Sequence, residues 1–195
     1  DGHRLAMSQK KITEPLSEEM KLILSRKSVS ELRRFLDEEQ KPVKLTIGKN
    51  HILFSVGKIQ FLTRLIEGTY PNYEQVVPLD NNKTLSVSRD AFSKSLKIVS
   101  IFSKERSSAV KVDINTDSMV ISTSNPDLGD AKDEITVKYD GDAMTIAFNA
   151  RYLLDVLGVM ESETITLKIN EPLSPVLLME DTREDYKCVV MPMRL

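Results

Sequence analysis

The stretch Phe148-Asn149-Ala150-Arg151-Tyr152-Leu153-Leu154-Asp155-Val156-Leu157 holds the pattern that decides the fold. Phe148 closes an apolar, strand-like run. Asn149 is a helix-capping residue type, because its side-chain oxygen can accept one of the unpaired N–H groups of a first helical turn. Leu153, Val156, Leu157 and Met160 then recur at helical spacing. A strand therefore passes straight into an amphipathic helix. The same arrangement stands twice earlier, at Leu24-Ser25 and at Val87-Ser88. In each copy an apolar residue lies four positions after the cap (Val29, Phe92, Leu153) and another lies eleven after it (Leu36, Val99, Met160).

The caps at positions 25, 88 and 149 define a unit recurring about every 60 residues. Its register is imperfect, since Leu32 and Val156 face Ser95 in the second copy. Alternating runs fill the rest of each unit. Leu45 and Ile47 lead into a turn at Gly48-Lys49-Asn50, and Ile52, Phe54 and Val56 lead out. Val110/Val112/Ile114, Ile135/Val137/Tyr139, Ile165/Leu167/Ile169 and Val176/Leu178 repeat the alternation, the mark of sheets with one buried face. The expected unit is strand, helix, three strands, and the fold class is α+β, with helices on one face and antiparallel sheets on the other. Two units make a domain. Copies two and three form one over 74–195, and copy one is half of an earlier domain over 1–73. Tyr70-Pro71-Asn72-Tyr73 and Pro78-Leu79-Asp80-Asn81-Asn82 punctuate the join. Asp1-Gly2-His3-Arg4-Leu5-Ala6 reads as a turn feeding a strand, as if the chain began inside a larger protein.

With 195 residues, 41% of them hydrophobic and 29% charged, the chain can bury a core without covalent staples. No apolar run approaches a membrane span. One cysteine, Cys188, rules out an internal disulfide framework and suits a reducing compartment. With only His3 and His51 beside it, a structural zinc site is not expected. Phosphate-cradling glycine loops, a His-Glu-x-x-His helix and a Gly-x-Ser-x-Gly elbow are all missing from the sequence. Cys188 lies in an apolar strand and reads as core rather than nucleophile. No catalytic residue, cofactor or metal is expected.

Charge is placed unevenly although the net is only -2. The first helix carries Arg26, Lys27, Arg33 and Arg34 against Glu31. The second carries Arg89, Lys94 and Lys97, followed by Lys104 and Arg106, against Asp90 and Glu105. Such helices are either ordinary solvated faces or, if they share a side, a surface that attracts phosphates without reading bases. Aromatics for stacking are not interleaved there, which favours duplex over single-stranded backbone. The chain ends Val189-Val190-Met191-Pro192-Met193-Arg194-Leu195. Pro192 stops a strand ladder, and methionines adapt to varied partners. That end is either a frayed or core-buried terminus or one wall of a peptide groove.

Together the ending Val-Val-Met-Pro-Met-Arg-Leu, the opening Asp-Gly-His-Arg-Leu-Ala, the linker Tyr-Pro-Asn-Tyr and Phe148-Asn149-x-x-Tyr152-Leu153-x-Asp155-Val156-Leu157 resemble the bacterial DNA polymerase III beta subunit family, the replicative sliding clamps. The resemblance spans the whole chain in order. It implies the DNA clamp fold, a non-enzymatic processivity factor that encircles duplex DNA without sequence preference, and a bacterial cytoplasmic, nucleoid-associated setting with no membrane. It implies as partners the replicative polymerase catalytic subunit, the clamp loader, repair polymerases and other proteins carrying a clamp-binding peptide.

Carried over by motif, the peptide cleft would take Gly2, His3, Arg4 and Leu5 from one side. Pro71 and Val76 would come from the linker, and Asn149 and Tyr152 from the third helix start. Leu173 and Pro175 would approach from a strand or turn, and Val189, Val190, Met191, Pro192, Met193, Arg194 and Leu195 would close the wall. Gln75 stands where relatives can carry a basic residue and Ser107 where they can carry an aromatic, so rim chemistry and peptide preference are expected to differ. The DNA-facing residues would be Arg26, Lys27, Arg33, Arg34, Arg89, Lys94 and Lys97. The resemblance also implies a head-to-tail homodimer in the full-length protein, with Ile101 and Phe102 as apolar contacts near the acidic run 127–134. A heterologous interface closes a ring only when both of its surfaces are present, so this chain alone is expected not to form one. Light scattering that found a stable cyclic dimer would refute that. The other reading of the sequence is an isolated peptide-binding module with no DNA encirclement.

Overall fold

A computed structural model describes residues 1–11, 18–36, 42–103 and 108–194. The chain divides into two compact units, residues 12–71 and residues 1–11 together with 72–195. In chain order the elements are β1 (Arg4–Ser8), α1 (Arg26–Leu36), β2 (Val43–Ile47), β3 (His51–Val56), β4 (Ile59–Arg64), a 3-10 turn at Tyr73–Gln75, β5 (Lys83–Ser88), α2 (Arg89–Ser100), β6 (Ala109–Ile114), β7 (Ser118–Asn125), β8 (Gly129–Tyr139), β9 (Met144–Asn149), α3 (Ala150–Leu157), β10 (Thr164–Ile169), β11 (Val176–Glu180) and β12 (Arg183–Val190).

Among its described residues, the unit of residues 12–71 has one helix on a three-stranded antiparallel sheet ordered β2-β3-β4. Ser25 caps α1, its Oγ accepting the Ser28 N–H at 3.0 Å. The turn read at Gly48-Lys49-Asn50 closes with the Gly48 N–H donating to the His51 carbonyl. Ile52, Phe54 and Val56 are buried along β3. The Phe61 ring lies 5.8 Å from that of Phe35 and 6.2 Å from that of Phe54, which seats the helix. Described residues 18–24, which lead into α1, form no strand, unlike the residues leading into α2 and α3.

Those sister copies build the other unit. β5-α2-β6-β7-β8 and β9-α3-β10-β11-β12 each run strand, helix, three strands. They interlock reciprocally. The leading strand of each copy pairs antiparallel with the first strand after the helix of the other, β5 with β10 and β9 with β6. β5 also pairs with β8, which joins everything into one sheet ordered β1-β12-β11-β10-β5-β8-β7-β6-β9. α2 and α3 pack on each other. Phe92, Leu96, Val99, Leu153 and Met160 meet Leu85, Val112, Ile146, Ile165 and Cys188 in a single core cluster.

The caps are those read from the sequence. Ser88 Oγ accepts the Ala91 N–H, and Asn149 Oδ1 accepts the Arg151 N–H at 3.0 Å. α2 ends at Ser100, and α3 ends at Leu157, short of Met160 where its helical spacing runs. α3 gives way at Gly158, and the residues beyond it turn away because Glu180 Oε2 accepts the N–H groups of Glu161 and Ser162 at 2.6 and 2.8 Å. Met160 still reaches the core. At the chain start β1 pairs antiparallel with β12 from Arg4↔Val190 to Ser8↔Tyr186.

Candidate functional site

Strand parity creates a second, smaller apolar surface on the sheet's outer face. Successive side chains of a strand point to opposite faces. In β12, Cys188 and Val190 go inward to the core, so Val189 points out. Its register partners are Leu5 on β1 and Leu177 on β11. Val189 is 1% exposed and Leu177 7%, yet neither belongs to the central cluster. Leu5, Val189 and Leu177 thus form an apolar row across three strands.

The tail past β12 walls off this region. The Met191 N–H donates to the His3 carbonyl at 2.8 Å, and the Met193 N–H donates to the Ala147 carbonyl at 2.7 Å as an isolated bridge to β9. Pro192 between them has no N–H to satisfy. The tail is therefore fastened to both edges of the sheet, close to the cap of α3.

At that cap Tyr152 is flanked by the chain start. The His3 ring lies 6.0 Å from it at a 43° tilt, and the Arg4 guanidinium carbon sits 4.5 Å from its centroid, within cation–π range. Gly2 has φ +82°, a conformation costly for other residues, and it turns the chain so that Asp1 Oδ1 accepts the N–H groups of His3 and Arg4. Arg4 Nε donates to Asp1 Oδ2 at 3.0 Å and its Nη1 to Asp155 Oδ2 at 2.5 Å.

The structure thus gathers Gly2, His3, Arg4, Leu5, Asn149, Tyr152, Val189, Met191, Pro192 and Met193. Val190 is a correction. It is fully buried in the core, because parity sends it away from the outer face. Pro175 precedes Val176, the partner of Val190, so it stands at the same strand end as Met191. Leu173 is exposed in the turn before β11, and Val76 is exposed after the 3-10 turn. Pro71 belongs to the other unit. Arg194 is exposed, and Leu195 and Ser107 lie outside the described residues. Sequence reasoning missed Leu177, whose signal was its alternation against Val189. It also missed Asp1 and Asp155 as partners of Arg4.

Arg26, Lys27, Arg33 and Arg34 are exposed on α1, and Lys94 and Lys97 are exposed on α2. Arg89 is a second correction. Its guanidinium bonds the Met160 carbonyl and the Asp90 carboxylate, a tie between the start of α2 and the segment after α3 rather than a free cation. Ile101 is exposed and Phe102 half-buried directly after α2. Lys104 and Arg106 lie outside the described residues. Burial pushes the Cys188 thiol pKa up, and it donates to the Tyr186 hydroxyl, so this cysteine is core.

Residues 74–194 match the family model described as DNA polymerase III beta subunit, C-terminal domain, and residues 1–72 match the one described as its central domain. The chain is 35% identical over 197 residues to the beta sliding clamp of Pseudomonas putida, an alignment covering 100% of this chain and 53% of that one. Against the beta sliding clamp of Escherichia coli K12 the identity is 33%, with the same coverage. The crystal structure of a sliding clamp from Bartonella birtlesii bound to griselimycin superposes with a TM-score of 0.95 at 34% identity, covering 100% of this chain and 53% of that one. The chain spans about half the length of the curated relatives it matches.

Proposed function

The chain belongs to the DNA polymerase III beta subunit family, the bacterial sliding clamps, and from that premise we propose that it serves in a processivity ring. In this reading the ring surrounds duplex DNA without reading sequence and tethers the replicative polymerase, the clamp loader and repair polymerases. It does no covalent chemistry of its own. Residues 1–73 act as half of the middle domain and 74–195 as the last domain. The ring closes head-to-tail through Ile101 and Phe102 in the bacterial cytoplasm, at the nucleoid.

One observation carries the reading: the tail fastened through Met191 to His3 and through Met193 to Ala147, where His3 and Arg4 lie against Tyr152. An aromatic and polar rim beside apolar strand ends suits a short peptide that inserts an apolar end, since anchors in pockets supply most of the affinity and polar groups fix direction. The exposed cations Arg26, Lys27, Arg33, Arg34, Lys94 and Lys97 suit a phosphate backbone met without fixed contacts.

The test is a fluorescence titration of this chain with a clamp-binding peptide of the glutamine-to-leucine-phenylalanine type, against a control lacking residues 191–195. Saturable binding is expected, weakened about thirtyfold or more in the control, the loss that follows removal of an anchor worth ~2 kcal/mol. Equal binding by both chains would refute the wall. Circular dichroism on the same samples separates a missing wall from a missing fold.

A further inference from the structure

We infer that Met191 and Met193 form a reversible oxidation site, at which peroxide converts two thioethers to sulfoxides and so weakens peptide docking at the tail. This deepens the peptide-docking reading and rests on it. The chain has eight methionines, and the fold shelters them unequally. Met119 and Met160 are 1% and 2% exposed inside the core. Met144 is packed against that core. Met191 and Met193 are partly exposed, and the tail holds them there. The Met191 N–H is fixed by the His3 carbonyl at 2.8 Å and the Met193 N–H by the Ala147 carbonyl at 2.7 Å, with the stiff Pro192 between them. Two thioethers thus stand within reach of solvent on a segment tied down at both. The thiol does not compete for the oxidant. Cys188 is fully buried, donates to the Tyr186 hydroxyl and has its pKa raised by burial, so little thiolate forms for peroxide to meet.

The chemistry needs hydrogen peroxide and nothing from the protein but access. A sulfur lone pair takes one peroxide oxygen, the O–O bond breaks and water leaves, so that sulfur is oxidised and peroxide reduced. The return step needs a dithiol, supplied by methionine sulfoxide reductases: the oxygen leaves as water and the dithiol closes to a disulfide. A thioether is soft and apolar, whereas a sulfoxide is polar and accepts hydrogen bonds from water. A peptide that sets an apolar end beside the oxidised tail must strip that water, at the cost of any polar group buried without a partner. Met20, 48% exposed and outside this unit, is the reference for a freely oxidised side chain. Met7 and Met179 are partly exposed on either side of Lys187 in the sheet register, and their oxygen uptake has to be told apart from that of the tail.

The experiment treats the natural chain with hydrogen peroxide, removes the oxidant with catalase and maps each methionine by mass spectrometry. The same samples are titrated with the fluorescent peptide of the glutamine-to-leucine-phenylalanine type, chosen without sulfur. Met191 and Met193 are expected to gain oxygen alongside Met20, with Met119 and Met160 slower by about tenfold or more. Peptide affinity is expected to fall about tenfold and to return after treatment with reductases for both sulfoxide epimers. Variants are read as the ratio of each chain's own affinities before and after peroxide, so a changed starting affinity does not enter. Met20→Leu should keep the full drop and Met191→Leu/Met193→Leu should show none, while Met191→Leu and Met193→Leu singly should each show a smaller one. Tail methionines that stay unoxidised while Met20 reacts, an affinity that oxidation leaves unchanged, or a drop that the reductases do not reverse would each overturn the inference. So would a drop that persists in the double variant, which would assign it to Met7 or Met179, or a drop that comes with loss of the circular dichroism signal. All of these leave the docking site standing. No binding by the untreated natural chain would overturn the docking reading and this inference with it.

Discussion

Phe92→Ala will destabilise the unit built on α2 and α3 by about 4 kcal/mol, whereas Val29→Ala will cost less than about 0.5 kcal/mol. The two residues hold the same place in the repeat, four after a helix cap, and Leu153 holds it in the third copy. Burial separates them: Phe92 is 1% exposed, Leu153 0% and Val29 50%. At Phe92 the change removes a ring from a packed core and leaves a cavity that the interlocked strands β5, β6, β9 and β10 cannot collapse. At Leu153 the same reasoning gives about 3 kcal/mol. At Val29 little area returns to water, and alanine is the better helix former. The comparison needs only urea midpoints for the three variants, read by circular dichroism. A loss at Val29 above about 2 kcal/mol would mean that this side chain is covered in solution, and the equivalence in sequence would then extend to packing.

The repeat that makes this comparison possible was legible because capping and helical periodicity are local. Ser25, Ser88 and Asn149 each bond an N–H two or three residues on, and nothing distant is needed to see them. Reciprocal pairing of the two copies was legible as a domain but not as a strand order, because β5 with β10 and β6 with β9 are non-local ladders. β1 shows the limit most sharply. The opening reads as a turn feeding a strand, but its partner β12 is nearly the whole chain away, and local pattern carries no such address. Within the candidate site strand parity decides which face each tail residue takes. Val189 looks out and Val190 looks in, and the sequence Cys-Val-Val-Met is apolar on both sides. The Arg4–Asp155 pair joins residues 151 positions apart, so its geometry was beyond any spacing argument. Arg89 reads as one more cation on a basic helix until its carbonyl partner, Met160, is seen.

Glu180→Ala will cost about 3 kcal/mol near neutral pH, and this cost will fade in acid. Glu180 is one of the few ionisable groups inside the fold, with its side chain fully enclosed. Burial alone raises a carboxyl pKa, but the N–H groups of Ser162 and Glu161 donate to it and Arg183 Nη1 lies 3.6 Å away, so the net direction is below the ordinary value. Those bonds fasten the segment after α3 to the end of β11. Alanine leaves two N–H groups without their acceptor in a nearly dry site, which is the costly half of removing a charged partner. Glu180→Gln keeps an acceptor oxygen and should lose about 1–2 kcal/mol. A carboxyl whose pKa is lower in the folded chain than in the unfolded one stabilises the fold above the unfolded value of about 4.3. That stability is lost as pH falls through the folded value, where both states become protonated. The gap in urea midpoint between the natural chain and Glu180→Gln should therefore hold from pH 8 to about 5 and narrow below about 4. A gap that widens in acid would mean that Glu180 is protonated in the fold, and that it donates where the structure has it accept.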